Sequence, residues 1–440
     1  MQAGRRPLLI SAYRALSRAL TPLFHLLFWW RSRSGKEVAQ RKGERFGRPQ
    51  HERPSGHLTW IHAASVGETM SVLPLIEALC ASGQRVLLTT VTVTAAEIAA
   101  SRLPQGAVHQ FVPYDAPGPL TRFLDHWSPD LAMVVESEIW PCQFDELRSR
   151  KVPFILLNGR LSDGSHRNWS RFPGASRYIF ECLDLVLAQS AADAERFRRL
   201  GCKRVETPGN LKFDASVPEV AEAEIQELHT QIGGRPVWLA ALTHPGEDAI
   251  VLQACEKLLM EFPELLLILV PRHPNRADDI AELIGAHGLT CIRRSTGEKI
   301  NPSTRVYLGD TLGEMGLFYK LAPVTFLGGS FTDAGGHNPV EAALGGSALV
   351  TGPQVANARA LYKEFWSGKA AVRASRPEDL ADLVAGLLRR PDEARAQAGC
   401  ARALVDAGRG AKEKILFLLQ PYLKDRSDGR EPEAEREQSA

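Results

Sequence analysis

The sequence predicts two parallel α/β domains in tandem, facing a shared cleft, behind an N-terminal helical segment that docks on a membrane. Three observations point there. The chain has 440 residues, more than one ordinary core accommodates. From residue 57 onward, short Val/Ile/Leu runs that end in small or polar residues alternate with amphipathic stretches, the signature of strand, loop and helix repeated. Leu8 to Trp30 is mostly apolar but is broken by Arg14, Arg18, Pro22 and His25, so it is neither a clean span nor a signal peptide.

That segment comes first. Around it and after it stand Arg5, Arg6, Arg31, Arg33, Lys36, Arg41, Lys42, Arg45, Arg48 and Arg53, against Glu37, Glu44 and Glu52. The paired Trp29 and Trp30 suit a headgroup region. Residues 1–53 are therefore read as an anchor on the anionic cytoplasmic face of a membrane. Two other readings stay open: a helix pair that caps the first domain, and a single span.

In the first domain, 54–217, strands are expected at His57–Ala64, Arg85–Thr92, Val108–Pro113, Asp130–Glu136, Val152–Asn158 and Leu183–Gln189. The texture changes after Gly209, and a Gly-Gly-Arg-Pro turn at 233–236 precedes a restart of the alternation. The second domain, 218–423, should carry strands at Val237–Leu242, Leu265–Pro271, Thr290–Arg294, Val306–Leu308, Val324–Gly328 and Ala348–Thr351. Open α/β sheets bind ligands outside the carboxyl ends of their strands, so the chemistry belongs in the loops that follow. Residues 424–440 read as a disordered polar tail.

Composition narrows the class. Hydrophobic residues make up 44% and charged residues 24%, which excludes a multi-span membrane protein and a disordered chain. A formal net charge of +2 points to no nucleic-acid partner. Seven cysteines without a CxxC pair read as free thiols in a reducing compartment. There is no GxxxxGK[ST] loop, no GxGxxG after the first strand, no HExxH and no DxD pair, so phosphate has to be met by other means.

Two groups of residues carry chemistry. In the first half, Ser65, Val66, Gly67 and Glu68 follow the first strand and open a helix. Gly67 would permit a tight turn, and Glu68 fits either a general base or an acid that satisfies helix-end amides. Glu136, Ser137 and Glu138 end an apolar strand, where two glutamates are costly unless solvated or paired, and alternate strand residues face the same way. Lys212 lies at the domain boundary. In the second half, Arg272 and His273 follow the most apolar strand. Gly309 to Met315, which includes Gly313 and Glu314, makes another strand-to-helix turn. Gly335, Gly336, His337, Asn338, Pro339, Val340 and Glu341 form a glycine turn and a helix start, with Pro339 suited to the first helical turn. Glu341 is placed to accept hydrogen bonds from ribose hydroxyls.

Taken in order, SVGET at Ser65–Thr69, PYD at Pro113–Asp115, ESEIWP at Glu136–Pro141, LKFD at Leu211–Asp214, PRHP at Pro271–Pro274, GDTLGE at Gly309–Glu314 and GGHNPVEAA at Gly335–Ala343 resemble the Kdo transferases of lipopolysaccharide synthesis. The resemblance implies two Rossmann-like domains of GT-B architecture. It implies an inverting glycosyltransferase that moves Kdo from CMP-Kdo to the lipid A precursor lipid IVA at the cytoplasmic face of the inner membrane, with no metal or other cofactor. By the same resemblance Glu68 is the base, Glu136 and Lys212 support the transition state, and CMP is held around Arg272, Gly313–Met315 and Asn338–Glu341. Ser65, Gly67, Glu138, Gly336 and His337 would be supporting or acceptor-side residues. The rival readings are a nucleotide-sugar epimerase on the same plan and a noncatalytic, membrane-attached nucleotide-binding module.

Overall fold

The computed structural model describes residues 6–214 and 220–423. Arg5, the expected boundary at 217/218 and the expected tail at 424–440 lie outside the described residues. Two compact units form: one runs to Asp214 and regains the chain from Arg409, and the other is Ala215–Gly408.

The first unit holds seven parallel strands, β1 Leu58–His62, β2 Arg85–Thr90, β3 Ala107–Phe111, β4 Leu131–Val135, β5 Phe154–Gly159, β6 Leu185–Ala188 and β7 Val205–Glu206, in the order β3-β2-β1-β4-β5-β6-β7. Strands such as Leu-Ala-Met-Val-Val in β4 are buried at every position because helices cover both faces of a parallel sheet. One face packs Trp60, Phe123, Trp127, Phe144 and Phe180; the other packs Ile61, Val72, Leu75, Ile76 and Leu79. The strand order reverses between β1 and β4, the switch point at which such sheets open a crevice.

The second unit repeats the plan with β8 Val237–Thr243, β9 Leu266–Pro271, β10 Cys291–Arg293, β11 Val306–Leu308, β12 Val324–Leu327, β13 Ala348–Thr351 and β14 Ala371–Arg373, in the order β10-β11-β9-β8-β12-β13-β14. Its switch point lies between β8 and β12. The sequence reading has no counterpart of β7 and β14, which span only Val205–Glu206 and Ala371–Arg373 at the sheet edges.

The expected second domain running to 423 is corrected. Helix Ala411–Leu423 belongs to the first unit because Ile415 and Leu419, one turn apart and fully buried, join the face made by Leu75, Leu79 and Leu211. Asp214 secures its start, accepting the backbone N–H groups of Gly410 (2.7 Å) and Lys412 (2.6 Å).

At the amino terminus, α1 (Leu8–Ala19) and α2 (Thr21–Arg33) dock on the first unit. Tyr13 Oη donates to Asp115 (3.0 Å), and Arg14 reaches Asp145 (2.6 Å) and Glu146 (2.7 Å). From α2, Phe24 stacks on Tyr114 and His25 on Phe46. The opposite side is apolar and open: Leu8, Leu16, Leu23, Leu26 and Trp30 are each more than half exposed. No helix among the described residues is long and apolar enough to cross a membrane.

The basic stretch behind these helices is only partly a surface. Arg45 is buried on Glu37 (2.9 Å), Arg41 is held by Glu44 (2.8 Å), Arg31 by Glu37 (3.1 Å) and Arg53 by Asp130 (3.1 Å). Glu37 and Glu44 draw these cations inward, which leaves Arg33, Lys36, Lys42 and Arg48 as the exposed charges of residues 31–48.

The Asp145 side chain is 1% exposed, so removing its closest cation leaves buried negative charge short of a partner. Arg14→Ala should lower the stability of the first unit by about 2–3 kcal/mol, somewhat less than a fully orphaned pair because Arg6 also contacts Asp145. A urea midpoint equal to the parent's would show that α1 adds nothing to the fold.

Candidate active site

In the first unit, β1 and β4 end side by side, His62 pairing with Val134 in register. Beyond β1, Ser65 is extended and caps helix Val66–Ala81, its hydroxyl accepting from the Glu68 N–H at 3.3 Å. Glu68 returns the contact: one carboxylate oxygen accepts from Ser65 Oγ (2.9 Å) and the other from the Ala64 N–H (2.8 Å). This is a capping box. Gly67 is not the turn residue expected. It lies inside the helix, without a positive φ, and a methyl group placed there would meet nothing within 4 Å.

The helix-end role of Glu68 does not leave its ionisation ordinary. Burial, then the charge of Glu136, then more weakly that of Glu138, push its carboxyl up to about 7 against the Ala64 hydrogen bond. Glu136 follows β4 at φ 57°, a left-handed conformation that costs a residue with a side chain about 1 kcal/mol. Two backbone bonds hold it there, its N–H to Leu157 O (2.9 Å) and its carbonyl from the Arg160 N–H (3.2 Å). Strand alternation therefore does not govern Glu136 and Glu138. Glu136 turns to Lys212, Oε1 to Nζ 2.5 Å, while Glu138 accepts from Trp140 Nε1 (2.6 Å) and lies 3.8 Å from His62 Nε2.

Lys212 is delivered by a 3₁₀ turn, Leu211–Asp214, locked by Asn158 at the end of β5. The Asn158 amide oxygen accepts from the Leu211 N–H (3.0 Å), and its NH₂ donates to Asn210 Oδ1 (3.2 Å). Ser65, Glu68, Glu136, Glu138 and Lys212 thus share one corner at the first switch point. His62 and Asn158 were missed, because in a sequence both read as strand interior. The PYD motif also gains a local role: Asp115 accepts the N–H groups of Cys142 (3.1 Å) and Gln143 (2.8 Å), capping the helix Pro141–Arg150 that follows Trp140.

In the second unit, Thr243 ends β8 and Leu327 ends β12. Glu247, fully buried and also missed, accepts backbone N–H groups from His244 (3.0 Å), Gly329 (2.6 Å), Ser330 (3.0 Å) and Phe331 (2.9 Å). This binds the two sides of the second switch point together. Gly329 sits at φ 68°, and a Cβ there would press on His337 at 3.2 Å. His337 stacks on His244 with Nε2 atoms 3.0 Å apart, and burial followed by the His244 charge lowers it to about 3. Gly336 donates to Gly329 O (2.6 Å) at φ 75°.

Asn338 Oδ1 accepts from the Val340 N–H (3.2 Å). Pro339 stands at the N-cap rather than in the first turn of helix Val340–Leu344, which is only one turn long. Arg272 is half-buried, and burial lowers its guanidinium pKa against the opposing charge of Glu341; His273, next to it, is exposed. Gly313, φ 86°, opens the turn before helix Met315–Leu321, and the Glu314 carboxylate is held by Arg294 (2.6 Å) and Thr311. Among the described residues no group of three or more His, Cys, Asp or Glu side chains is arranged to hold a metal ion.

Residues 40–215 match the family model described as 3-deoxy-D-manno-octulosonic-acid transferase (kdotransferase). A 3-deoxy-D-manno-octulosonic acid transferase of Bordetella pertussis is 35% identical over 425 residues, covering 93% of this chain and 99% of that one. One of Haemophilus influenzae is 32% identical over 420 residues, covering 93% and 98%. Among solved structures, UDP-GlcNAc 2-epimerase from Neisseria meningitidis bound to UDP-GlcNAc superposes with a TM-score of 0.55 over 83% of this chain and all of that one, at 13% identity. That likeness shows the shared two-domain fold alone.

A carboxyl held near 7 in the native chain, against about 4.5 ordinarily, makes the fold lose stability as pH rises from about 4.5 through 7. Glu68→Gln should therefore raise the melting temperature at pH 8, by the equivalent of about 2–3 kcal/mol, and leave it almost unchanged at pH 5. Equal effects at both pH values in thermal denaturation would show that Glu68 ionises freely.

Proposed function

The chain belongs to the 3-deoxy-D-manno-octulosonic acid (Kdo) transferase family, and from that premise we propose that it takes Kdo from CMP-Kdo and joins it to lipid IVA, with Glu68 as the base. The carboxylate corner at the first switch point is the observation that carries this reading. A base is most effective when its pKa lies near working pH, and burial beside Glu136 brings Glu68 there.

In the proposed displacement an acceptor hydroxyl gives its proton to Glu68 and forms a bond to the anomeric carbon from one face. The bond to the CMP phosphate oxygen breaks from the other, and CMP carries away the electron pair. Lys212 holds Glu136 in place and offsets part of the negative charge around the base. On the donor side, Arg272 is the cation for the CMP phosphate and Glu341 the acceptor for ribose hydroxyls. Because the helix at Val340 has a single turn, its dipole contributes little and phosphate neutralisation rests mainly on Arg272. His273, Gly336 and His337 line this donor side, and the Gly313–Met315 turn is assigned to CMP through its backbone, the Glu314 side chain being occupied by Arg294. No metal is required.

Purified protein incubated with CMP-Kdo and lipid IVA should yield a product heavier by Kdo in mass spectra. Glu68→Gln should cut turnover at least about a hundredfold while keeping CMP affinity, and excess chelator should leave the parent rate largely intact. Near-normal turnover in Glu68→Gln sinks the base assignment; loss of rate restored by a divalent ion sinks the metal-free reading.

The membrane reading takes interfacial form. The open side of α1 and α2 presents Leu8, Leu16, Leu23, Leu26 and Trp30, with Trp29 half exposed and Arg33 stacked over its ring. Such a face suits the headgroup region, with Arg33, Lys36, Lys42 and Arg48 beside anionic lipid, and supports the reading of an enzyme on the cytoplasmic face of the inner membrane. Replacing Leu23, Leu26 and Trp30 together by Ser should abolish flotation with anionic vesicles without changing the melting temperature. Unchanged flotation would refute the docking face.

A further inference from the structure

His62 ends β1 with no exposed surface, beneath the carboxylate corner. Its Nδ1 lies 3.1 Å from the Thr89 carbonyl oxygen and 3.0 Å from Thr89 Oγ1, while its Nε2, buried and without a hydrogen-bond partner, lies 3.8 Å from Glu138 Oε2. Thr89 Oγ1 also accepts from Trp60 Nε1 at 2.9 Å. With that acceptor role filled, the hydroxyl is free to donate to Nδ1 of a neutral ring, and the adjacent carbonyl is free to accept from Nδ1–H of a charged one. Nδ1 therefore has a partner in either state with no movement of the ring. In both, Nε2–H points at Glu138.

The charge balance of the corner gives this arrangement a purpose. Glu68, Glu136 and Glu138 meet there with Lys212 as their contacting lysine, and Lys212 is spent on Glu136. Glu138 has the Trp140 N–H and the His62 ring.

The geometry points to His62 as a positioning residue that carries the second positive charge of the corner: as imidazolium it pairs with Glu138 and so limits the negative field that Glu138 exerts on Glu68. It reaches neither substrate nor solvent, and acts through Glu138. The inference rests on Glu68 being the base, as proposed above. Thr89 from β2 contacts the ring, Trp140 donates to Glu138, the charge of Glu138 acts on Glu68 at the helix start, and Glu136 from the end of β4, held by Lys212 from the 3₁₀ turn, acts on Glu68 as well. The sign follows. Removing the imidazolium leaves Glu138 uncompensated and makes Glu68 harder to ionise, so the pH below which transfer fails should move up. Removing the Glu138 charge should move it down and make His62 irrelevant to it.

The test is the acid limb of kcat/KM for Kdo transfer in the parent, His62→Gln, Glu138→Gln and the double variant. Gln keeps a donor near Glu138 but cannot take a charge. The limb in His62→Gln should rise by about half a pH unit or more, in Glu138→Gln it should fall, and in the double variant it should match Glu138→Gln. An unmoved limb in a His62→Gln protein that melts like the parent overturns the proposal, as does a His62 shift that persists undiminished when Glu138 is Gln. If His62→Gln fails to fold, the acid limb of Glu138→Gln decides: it should fall below the parent's, and a limb that stays where the parent's is overturns the proposal. Failure of the base reading looks different, because Glu68→Gln would then retain turnover whatever happens at His62.

Discussion

Negative charge gathered where the first sheet reverses direction is the constraint around which the rest of that unit is arranged. Parallel strands pair every backbone group in the sheet and leave only the loops at their carboxyl ends free for chemistry, and at β1 and β4 those loops bring Glu68, Glu136 and Glu138 into one half-buried corner. Such a corner persists only if the surrounding structure over-determines it. Glu136 is held at a left-handed φ by bonds from both flanking segments, and Lys212 arrives on a turn locked by Asn158, itself at φ 51°. Stability is conceded at this corner and recovered in the structure around it.

The second unit solves the opposite problem with the same topology. At its switch point the buried carboxylate Glu247 is not left reactive; backbone amides surround it and it serves as a rivet between the ends of β8 and β12. Comparable strand ends thus give a carboxyl that burial and its acidic neighbours push up to about 7 in one unit and a carboxylate satisfied by backbone amides in the other. The fold by itself cannot distinguish a transferase from an epimerase, since a 2-epimerase shares it at 13% identity. Family membership rests on identity across nearly the whole chain.

Twelve of the strands were legible because short apolar runs bounded by turn residues have few other uses; the edge strands β7 and β14 were not. The placing of Glu68, Glu136 and Glu138 just beyond strand ends was legible for the same reason, and Lys212 was read only as a boundary residue. What escaped depends on contacts distant in sequence. Nothing in Arg41 or Arg45 announces that Glu44 and Glu37 will turn them inward, and His62 and Asn158 look like ordinary strand residues until Thr89, Glu138 and Asn210 are set beside them. Of the readings of the amino terminus, the cap is seen where Ile10 enters the core, and no helix among the described residues is long and apolar enough for a span; Leu8 stands open on the other side.

Asp214 has a consequence for how the chain is assembled. The second unit, Ala215–Gly408, leaves the first just after Asp214 and returns to it at Gly410 and Lys412, both held by that same carboxylate. In connectivity it is therefore an insertion, a closed loop with its two ends clasped at one side chain. The entropy of closing so long a loop grows only logarithmically with its length, so the clasp tolerates large changes in what lies between. The second unit can in this way be lengthened, shortened or exchanged as a cassette during evolution while the carboxylate corner keeps its own core.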